Sequence, residues 1–454
     1  MAYIGKTPVI GNFVKLDAIS VVDGQAAYTM QNGGVNFTSY DNVNQFLVSL
    51  NGILQSPTDS FTVSGSTLTF ASNLSTGDVI DFVMVLGNTL DIGTPSDNTI
   101  TTAKLSNNAV TNAKLSFNAN QYRNIIINGD MSIAQRGTSV TGVTSTGYQS
   151  LDRFDYNIGT AGTWTISQST DVPTGQGFAK SMKLDCTTAN SSLSSGSKFF
   201  MRQKIEGQNV QYIKKGTSSA ESLTLSFWVK SNKTGTYIAE IFDNDNSRQI
   251  STAYTISSAN TWEKKTITYA GDTSGTLDND NNVSLQVSFF LVAGTDFSSG
   301  TLSTTWTSST NANRAVGQVN LADSTANEWY ITGVQLEVGS AASDFEFLPY
   351  DVNLQRCQRY FEQIVSPSAF NIYWSGYTDS NYDDTSPYSF KVEKRTVPSA
   401  SATSGFTFSN INGSEFDFAQ KNKSSINFIW TTNGAGRYYV YSGSGDKIKF
   451  DAEL

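Results

Sequence analysis

The chain has 454 residues, 39 acidic and 30 basic, for a formal charge of −9, and at ~100–200 residues per domain it is long enough for about three domains. It contains no histidine, which excludes a Ser-His-Asp or Cys-His nucleophile pair, an imidazole base and any His-ligated metal; Cys186 and Cys357 lie far apart without a CxxC partner, so neither a disulfide scaffold nor a thiolate zinc site is expected. With 15% charged and 12% aromatic residues it is too uncharged and too aromatic for a disordered protein, and its acidic balance gives duplex nucleic acid or an anionic membrane no electrostatic reason to bind.

Residues 1–9 carry one lysine and no apolar stretch leading to a small-residue cleavage site, so no secretory signal is expected. Apolar runs such as 82–86 have strand length and would not cross a bilayer. In residues 1–92, Phe46-Leu-Val-Ser-Leu50 leads into Asn51-Gly52 and then Ile53-Leu-Gln55, a strong hairpin signal because a type I′ turn needs positive φ at both central residues. A second hairpin is expected at 60–63 and 67–70, turning near Ser64-Gly65, with a further strand over 78–86. Together these predict a small N-terminal β-sandwich.

Residues 93–120 hold a ten-residue repeat, Thr101-Thr-Ala-Lys-Leu-Ser-Asn-Asn-Ala-Val110 followed by Thr111-Asn-Ala-Lys-Leu-Ser-Phe-Asn-Ala-Asn120. Ile100, Leu105, Val110 and Leu115 recur every fifth residue, a period of neither helix nor strand. So thin an apolar row needs copies of the chain packed about a common axis to bury it; a flexible Ser/Asn linker is the other reading.

Residues 121–350 predict a larger two-sheet jelly roll, with strands at 181–185, 199–205, 223–230, 236–242, 261–269, 283–292 and 328–336. Trp228, Trp262 and Trp329 fall within these strands and are expected in the core. Over 351–365, Val352, Leu354, Cys357, Tyr360, Phe361 and Ile364 form a helical stripe with Asp351 as N-cap, Cys357 serving as a small buried apolar residue. Residues 366–454 return to β structure. The fold class is thus mainly β: N-terminal sandwich, repeat linker, central jelly roll, one helix and a C-terminal β domain.

Asn124-Ile-Ile-Ile-Asn-Gly-Asp-Met-Ser-Ile-Ala-Gln-Arg-Gly137 is similar to the segment that opens the central domain of bacteriophage tail-fibre proteins of the marine and cyanobacterial type. Glu328-Trp-Tyr-Ile-Thr-Gly-Val-Gln-Leu-Glu-Val-Gly339, Phe345-Glu-Phe-Leu-Pro-Tyr350 and Leu354-Gln-Arg-Cys-Gln-Arg-Tyr-Phe361 are similar to its end. Tyr3-Ile-Gly-Lys-Thr-Pro8, Ser49-Leu-Asn-Gly-Ile53 and Phe450-Asp-Ala-Glu-Leu454 resemble fibre termini, while 362–445 match no motif. The central part resembles carbohydrate-binding-module jelly rolls. The resemblance implies a virion protein of the phage tail: a homotrimer with Ile100, Leu105, Val110 and Leu115 on its axis, attached through residues 1–92 to a tail or adaptor protein, and binding a host-surface glycan through distal residues 366–454. The acidic balance and the strand-length apolar runs lead to the expectation of no nucleic-acid partner and no membrane insertion, and no cofactor is assigned.

Three constellations bear on chemistry. Asp243-Asn-Asp-Asn-Ser247 and Asp278-Asn-Asp-Asn-Asn282 alternate oxygen ligands as Ca²⁺ loops do, but neither continues as an EF-hand, and solvated Asx turns account for both. Glu206, Glu240, Glu328 and Glu337 are carboxylates from which a glycosidase pair could be drawn, yet no motif groups them, and no catalytic residue or metal site is assigned. The densest aromatic cluster lies between 372 and 388. Within it Trp374, Tyr377 and Tyr382, with Asp379 and Asp384, are separated by Ser, Gly and Asn, which predicts a loop suited to stacking on sugars. Core or subunit contacts are the competing role. The function expected is non-enzymatic receptor binding by a tail fibre; the alternatives are a tailspike-like enzyme that degrades polysaccharide and a bacterial adhesin or carbohydrate-binding protein.

Overall fold

A computed structural model describes residues 13–86, 122–369, 373–380 and 383–454. The repeat row Ile100, Leu105, Val110 and Leu115 and the candidate Tyr382 lie outside them. Residues 1–111 and 112–454 form two compact units. The fold is mainly β; among the described residues the α-helices are Thr295–Ser298 and Tyr350–Gln358. Neither is long and apolar enough to cross a membrane.

In the first unit, Phe46–Leu50 and Ile53–Leu54 form the expected hairpin, with Asn51 at φ 54° and Gly52 at φ 78°. Both central residues thus hold the positive φ that an Asn-Gly turn supplies at little cost. The second hairpin pairs Phe61–Ser64 with Thr67–Leu74 and turns at Gly65-Ser66, with Gly65 at positive φ. Ile80–Val85 joins Val14–Lys15 and the first hairpin in a four-stranded sheet. Alternate residues from the sheets (Phe46, Val48, Phe61, Leu68, Phe70, Val83 and Val85) bury a common core.

The second unit is built on a jelly-roll β-sandwich. A six-stranded sheet has the order Ser139–Val143, Thr163–Ser169, Ser181–Thr188, Glu328–Val338, Leu223–Ser231, Glu263–Tyr269. It faces a seven-stranded sheet ordered Gly147–Tyr148, Asp155–Gly159, Lys198–Glu206, Val283–Ala293, Gly235–Asp243, Arg248–Ile256, Thr307–Ser308. All seven predicted strands are present. The core between the sheets includes fully buried Trp164, Phe227, Val287 and Trp329. Trp329 is core as expected, whereas Trp228 and Trp262 are half-buried on the outward face. For Trp228 the reason is register: it alternates with inward Phe227 and Val229 and pairs with Lys264 and Thr332 on the opposite face of the sheet.

The opening motif of this unit has a structural explanation. Asn124 Oδ1 accepts from the amides of Ile126 (3.0 Å) and Leu336 (3.1 Å), and its Nδ2 donates to Val334 O. A Cβ on Gly129 would stand 2.0 Å from Val334 O, so only glycine fits there. Asn128, at φ 61°, donates to the carbonyls of Ile133 and Asp152. The two motifs therefore meet in space, the first segment hydrogen-bonding the C-terminal half of the Glu328–Val338 strand, beyond its pairing with Ser181–Thr188.

Asp152 accepts from the Gln135 amide at 2.8 Å, and burial pushes its carboxyl up to about 6 despite that bond and nearby Arg136. A carboxyl raised in the folded state favours folding below its unfolded value of ~3.9 and loses that contribution as pH rises through about 6. A shift of ~2 units corresponds to ~2–3 kcal/mol. Stability of the Asp152→Asn variant, measured by urea unfolding, is expected to lack this decline between pH 4 and 6. Parallel profiles for variant and parent would show that Asp152 is not its source.

The helix is shorter than expected. It runs Tyr350–Gln358 after Pro349, and Asp351 lies in its first turn rather than at the N-cap, where its charge suits the helix dipole. Phe361–Val365 is instead a strand paired with Lys447–Asp451. The helical stripe arose because two packings abut. Leu354, Cys357 and Tyr360 pack on Ile127 and Ile133, whereas Ile364 packs in the C-terminal core. Cys357 is fully buried, and burial raises its thiol pKa well above the ordinary value.

The C-terminal part comprises three three-stranded sheets: Phe361–Val365, Lys447–Asp451, Ser399–Ala402; Tyr373–Thr378, Gly436–Tyr441, Thr407–Ser409; and Asp383–Ser389, Ser425–Thr432, Ile411–Ala419. Ile426, Phe428 and Trp430 alternate inward along one strand and meet Tyr438, Val440, Ile448 and Phe450.

Candidate functional site

The predicted aromatic loop is a strand. Tyr373–Thr378 pairs with Gly436–Tyr441, and its side chains alternate between solvent and core. Trp374 points inward. Its ring lies 5.2 Å from Phe428, 5.6 Å from Phe416 and 5.9 Å from Trp430, and its Nε1 donates to Ser386 Oγ at 2.9 Å. Asp384 also turns inward and accepts from the Tyr438 hydroxyl. Gly376 is required opposite that tyrosine, because a Cβ would meet Tyr438 Oη at 2.4 Å. Serine and glycine between the aromatics therefore reflect close packing and outward strand positions, not a loop.

Tyr377 and Asp379 are exposed. Tyr377, at 71% exposure, shares its face with Tyr373 at 51%. Cross-strand pairing sets Tyr373 beside Tyr441, Ser375 beside Tyr439 and Tyr377 beside Arg437. Tyr439 and Tyr441 lie 6.1 Å apart with their planes 31° from parallel. The sheet thus presents four tyrosines, one arginine and small hydroxyl side chains on one outward face. Sequence reasoning missed Tyr439 and Tyr441, although the alternation in Arg437-Tyr-Tyr-Val-Tyr441 placed them on one side of a strand.

The outward face of the six-stranded sheet carries a second aromatic group. Trp262 and Tyr330 meet edge to face at 6.1 Å, Trp262 Nε1 donates to Asp171 at 2.9 Å, and Lys230 lies 4.3 Å from the Tyr330 ring centre. Alongside, a cavity of about 240 Å³ opens over Trp228, walled by Phe178, Phe345 and Phe347.

The other candidate groups are engaged in the fold. Glu206 accepts from two guanidinium nitrogens of Arg359, Nε and Nη2 (2.8 and 2.7 Å), and from the Tyr360 hydroxyl; burial pushes its carboxyl up, but these bonds outweigh it and hold it below the usual range. Glu240 is held bidentately by Arg314, Glu328 pairs with Lys183 at 2.6 Å, and Glu337 accepts from Ser343. The Asp243 loop is an Asx turn in which Lys215 reaches the carboxylate at 2.5 Å. Asp280 closes a similar turn on the Asn282 amide. Among the described residues no group of three or more Cys, Asp or Glu is placed to hold a metal.

Fold and site together define a multi-module β protein whose main body is a jelly-roll sandwich with exposed aromatic faces. No protein-family model and no curated relative matches the sequence. Similar solved structures include the enzymatically active domain of bacteriophage CBA120 tailspike protein 4, at 15% identity and TM-score 0.26, covering 48% of this chain and 22% of that one. A CBM4 structure aligns at 13% identity and TM-score 0.24, over 46% of this chain and 97% of its own. A family 11 carbohydrate-binding module of Clostridium thermocellum aligns at 12% identity and TM-score 0.22, over 46% and 98%.

Proposed function

We propose that this chain is a non-catalytic carbohydrate-binding protein that engages its glycan on the tyrosine face of the C-terminal sheet. The observation that carries the proposal is the exposure of Tyr373 and Tyr377 beside Tyr439 and Arg437 on paired strands. Tyrosine rings offer flat apolar faces to sugar C–H groups, and their hydroxyls reach the sugar's own at small entropic cost. The test is binding of the whole chain to a glycan array, followed by affinity measurement on the best ligand. A Tyr373→Ala/Tyr377→Ala variant is expected to lose at least tenfold in affinity with an unchanged melting temperature. Loss in Trp228→Ala alone would instead put the site on the six-stranded sheet.

The finer proposal, supported by the motif resemblance, is a phage tail fibre in the virion. Residues 1–92 would dock to a tail or adaptor protein, and Ile100, Leu105, Val110 and Leu115 would line the axis of a homotrimer. Three copies of a weak site per fibre, and several fibres per particle, raise avidity by ~10²–10⁴ without new contacts. Sedimentation of the purified protein is expected to give a species of three chains of 49.2 kDa. A single-chain species at micromolar concentration would remove the trimer.

A further inference from the structure

A cavity of about 490 Å³ opens between the strand Lys198–Glu206, the turns that follow it and the end of the helix Tyr350–Gln358. That size falls within the ~300–1,000 Å³ of small-molecule sites. Its lining is unusual for a chain of charge −9: Arg153, Lys204, Arg356 and Arg359 contribute, and no carboxylate does. Three of these cations are neutralised from behind the wall. Arg153 pairs with Glu453, Arg359 with Glu206 at 2.7 Å and Lys204 with Asp155 at 3.4 Å.

Arg356 is different. Its Nη2 donates to Asn124 O at 3.3 Å, and no ion pair reaches it among the described residues. The nearby Glu346 carboxylate is turned to the backbone, accepting from the amides of Tyr122 and Asn124. Burial draws the Arg356 guanidinium's pKa down, but a guanidinium stays charged at neutral pH. A half-buried cation with one neutral acceptor favours an anion beside it, and its planar fork matches a carboxylate bidentately. Exposed Tyr122 and Tyr212 also line the cavity, with the exposed Asn209 amide. A bare inorganic anion would use none of these, whereas a pyranose ring presents C–H faces to the tyrosines and hydroxyls to the amide.

We infer that this cavity binds a carboxylate-bearing sugar, a uronate unit of an acidic oligosaccharide, with its carboxylate on Arg356 and its ring against Tyr122 and Tyr212. The inference rests on reading the chain as carbohydrate-binding but assigns a separate site and ligand class. Calorimetric titration of the whole chain with trigalacturonate, galactotriose and inorganic phosphate tests it. Trigalacturonate is expected to bind, galactotriose to bind at least tenfold more weakly, and Arg356→Gln to lower trigalacturonate affinity about tenfold or more without moving the melting temperature. Arg356→Lys, which keeps charge but not the fork, is expected to fall between. Unchanged affinity in both Arg356 variants would overturn the inference, and so would displacement of trigalacturonate by equimolar phosphate. The Tyr373→Ala/Tyr377→Ala variant is expected to keep trigalacturonate binding. Loss of the Arg356-dependent signal alone leaves the tyrosine face standing, and loss of the Tyr377-dependent signal alone leaves this cavity standing.

Discussion

Replacing Trp374 by alanine is expected to lower unfolding stability by about 3 kcal/mol, near the lower end of the ~3–5 kcal/mol found when a buried Trp or Phe is cut to Ala. The low end applies because the ring is half-buried. The cost has three sources: lost apolar burial, the hole left among Phe416, Phe428 and Trp430, and the Ser386 hydroxyl deprived of its indole donor. Tyr377, three pairing positions further along the strand and therefore on its opposite face, is expected to behave inversely. Tyr377→Ala is expected to stay within ~0.5 kcal/mol of the parent, as exposed substitutions do, while weakening glycan binding. Guanidinium unfolding and a glycan titration on both variants separate the roles. A stable Trp374→Ala protein with impaired binding would return the indole to the ligand surface.

This pair shows where the sequence was legible. Long strands with clean alternation, such as Leu223–Ser231 and Val283–Ala293, were readable because apolar side chains line one face while Ser, Thr and Gln line much of the other, and the Asn51-Gly52 hairpin because turn chemistry is local. Arg248–Ile256 and Asp155–Gly159 were missed: polar residues there, such as Gln249 and Asp155, are buried in hydrogen bonds or ion pairs and blur the apolar pattern. The helix was overextended because Tyr360 and Ile364 satisfy a helical period while belonging to different cores. At the candidate site, residue type drew attention to the segment that forms the Tyr373–Thr378 strand but not to the two sides of that strand. Trp374 and Tyr377 differ only in parity of position, and parity has meaning only once the segment is known to be a strand. The cationic cavity was not legible at all, since Arg153, Lys204, Arg356 and Arg359 come from segments up to 206 positions apart in the numbering.

Arg153→Met is expected to cost about 3–5 kcal/mol, the usual penalty for removing one partner of a buried ion pair. The Arg153 side chain is 1% exposed and sits between the Glu453 carboxylate, the carbonyl of Lys204 at 2.8 Å and the face of Tyr360, 3.4 Å from the ring centre. These partners come from the jelly roll, the segment after the helix and the strand-end at Ala452–Glu453, so one guanidinium ties the C-terminal sheets to the sandwich. Without it Glu453, itself 4% exposed, keeps among the described residues the ion pair with Arg136 at 3.3 Å, and Arg136 must also serve Asp451 at 3.2 Å. Most of the penalty should therefore come from the stranded carboxylate rather than from lost attraction. The double variant Arg153→Met/Glu453→Gln removes that charge and is expected to recover at least ~1.5 kcal/mol of the single variant's loss, a coupling that a double-mutant cycle reads directly. Chemical unfolding of the four proteins supplies the cycle. Additive losses would mean that the guanidinium acts through Tyr360 and the Lys204 carbonyl without Glu453, and the electrostatic tie between sandwich and C-terminal sheets would have to be abandoned.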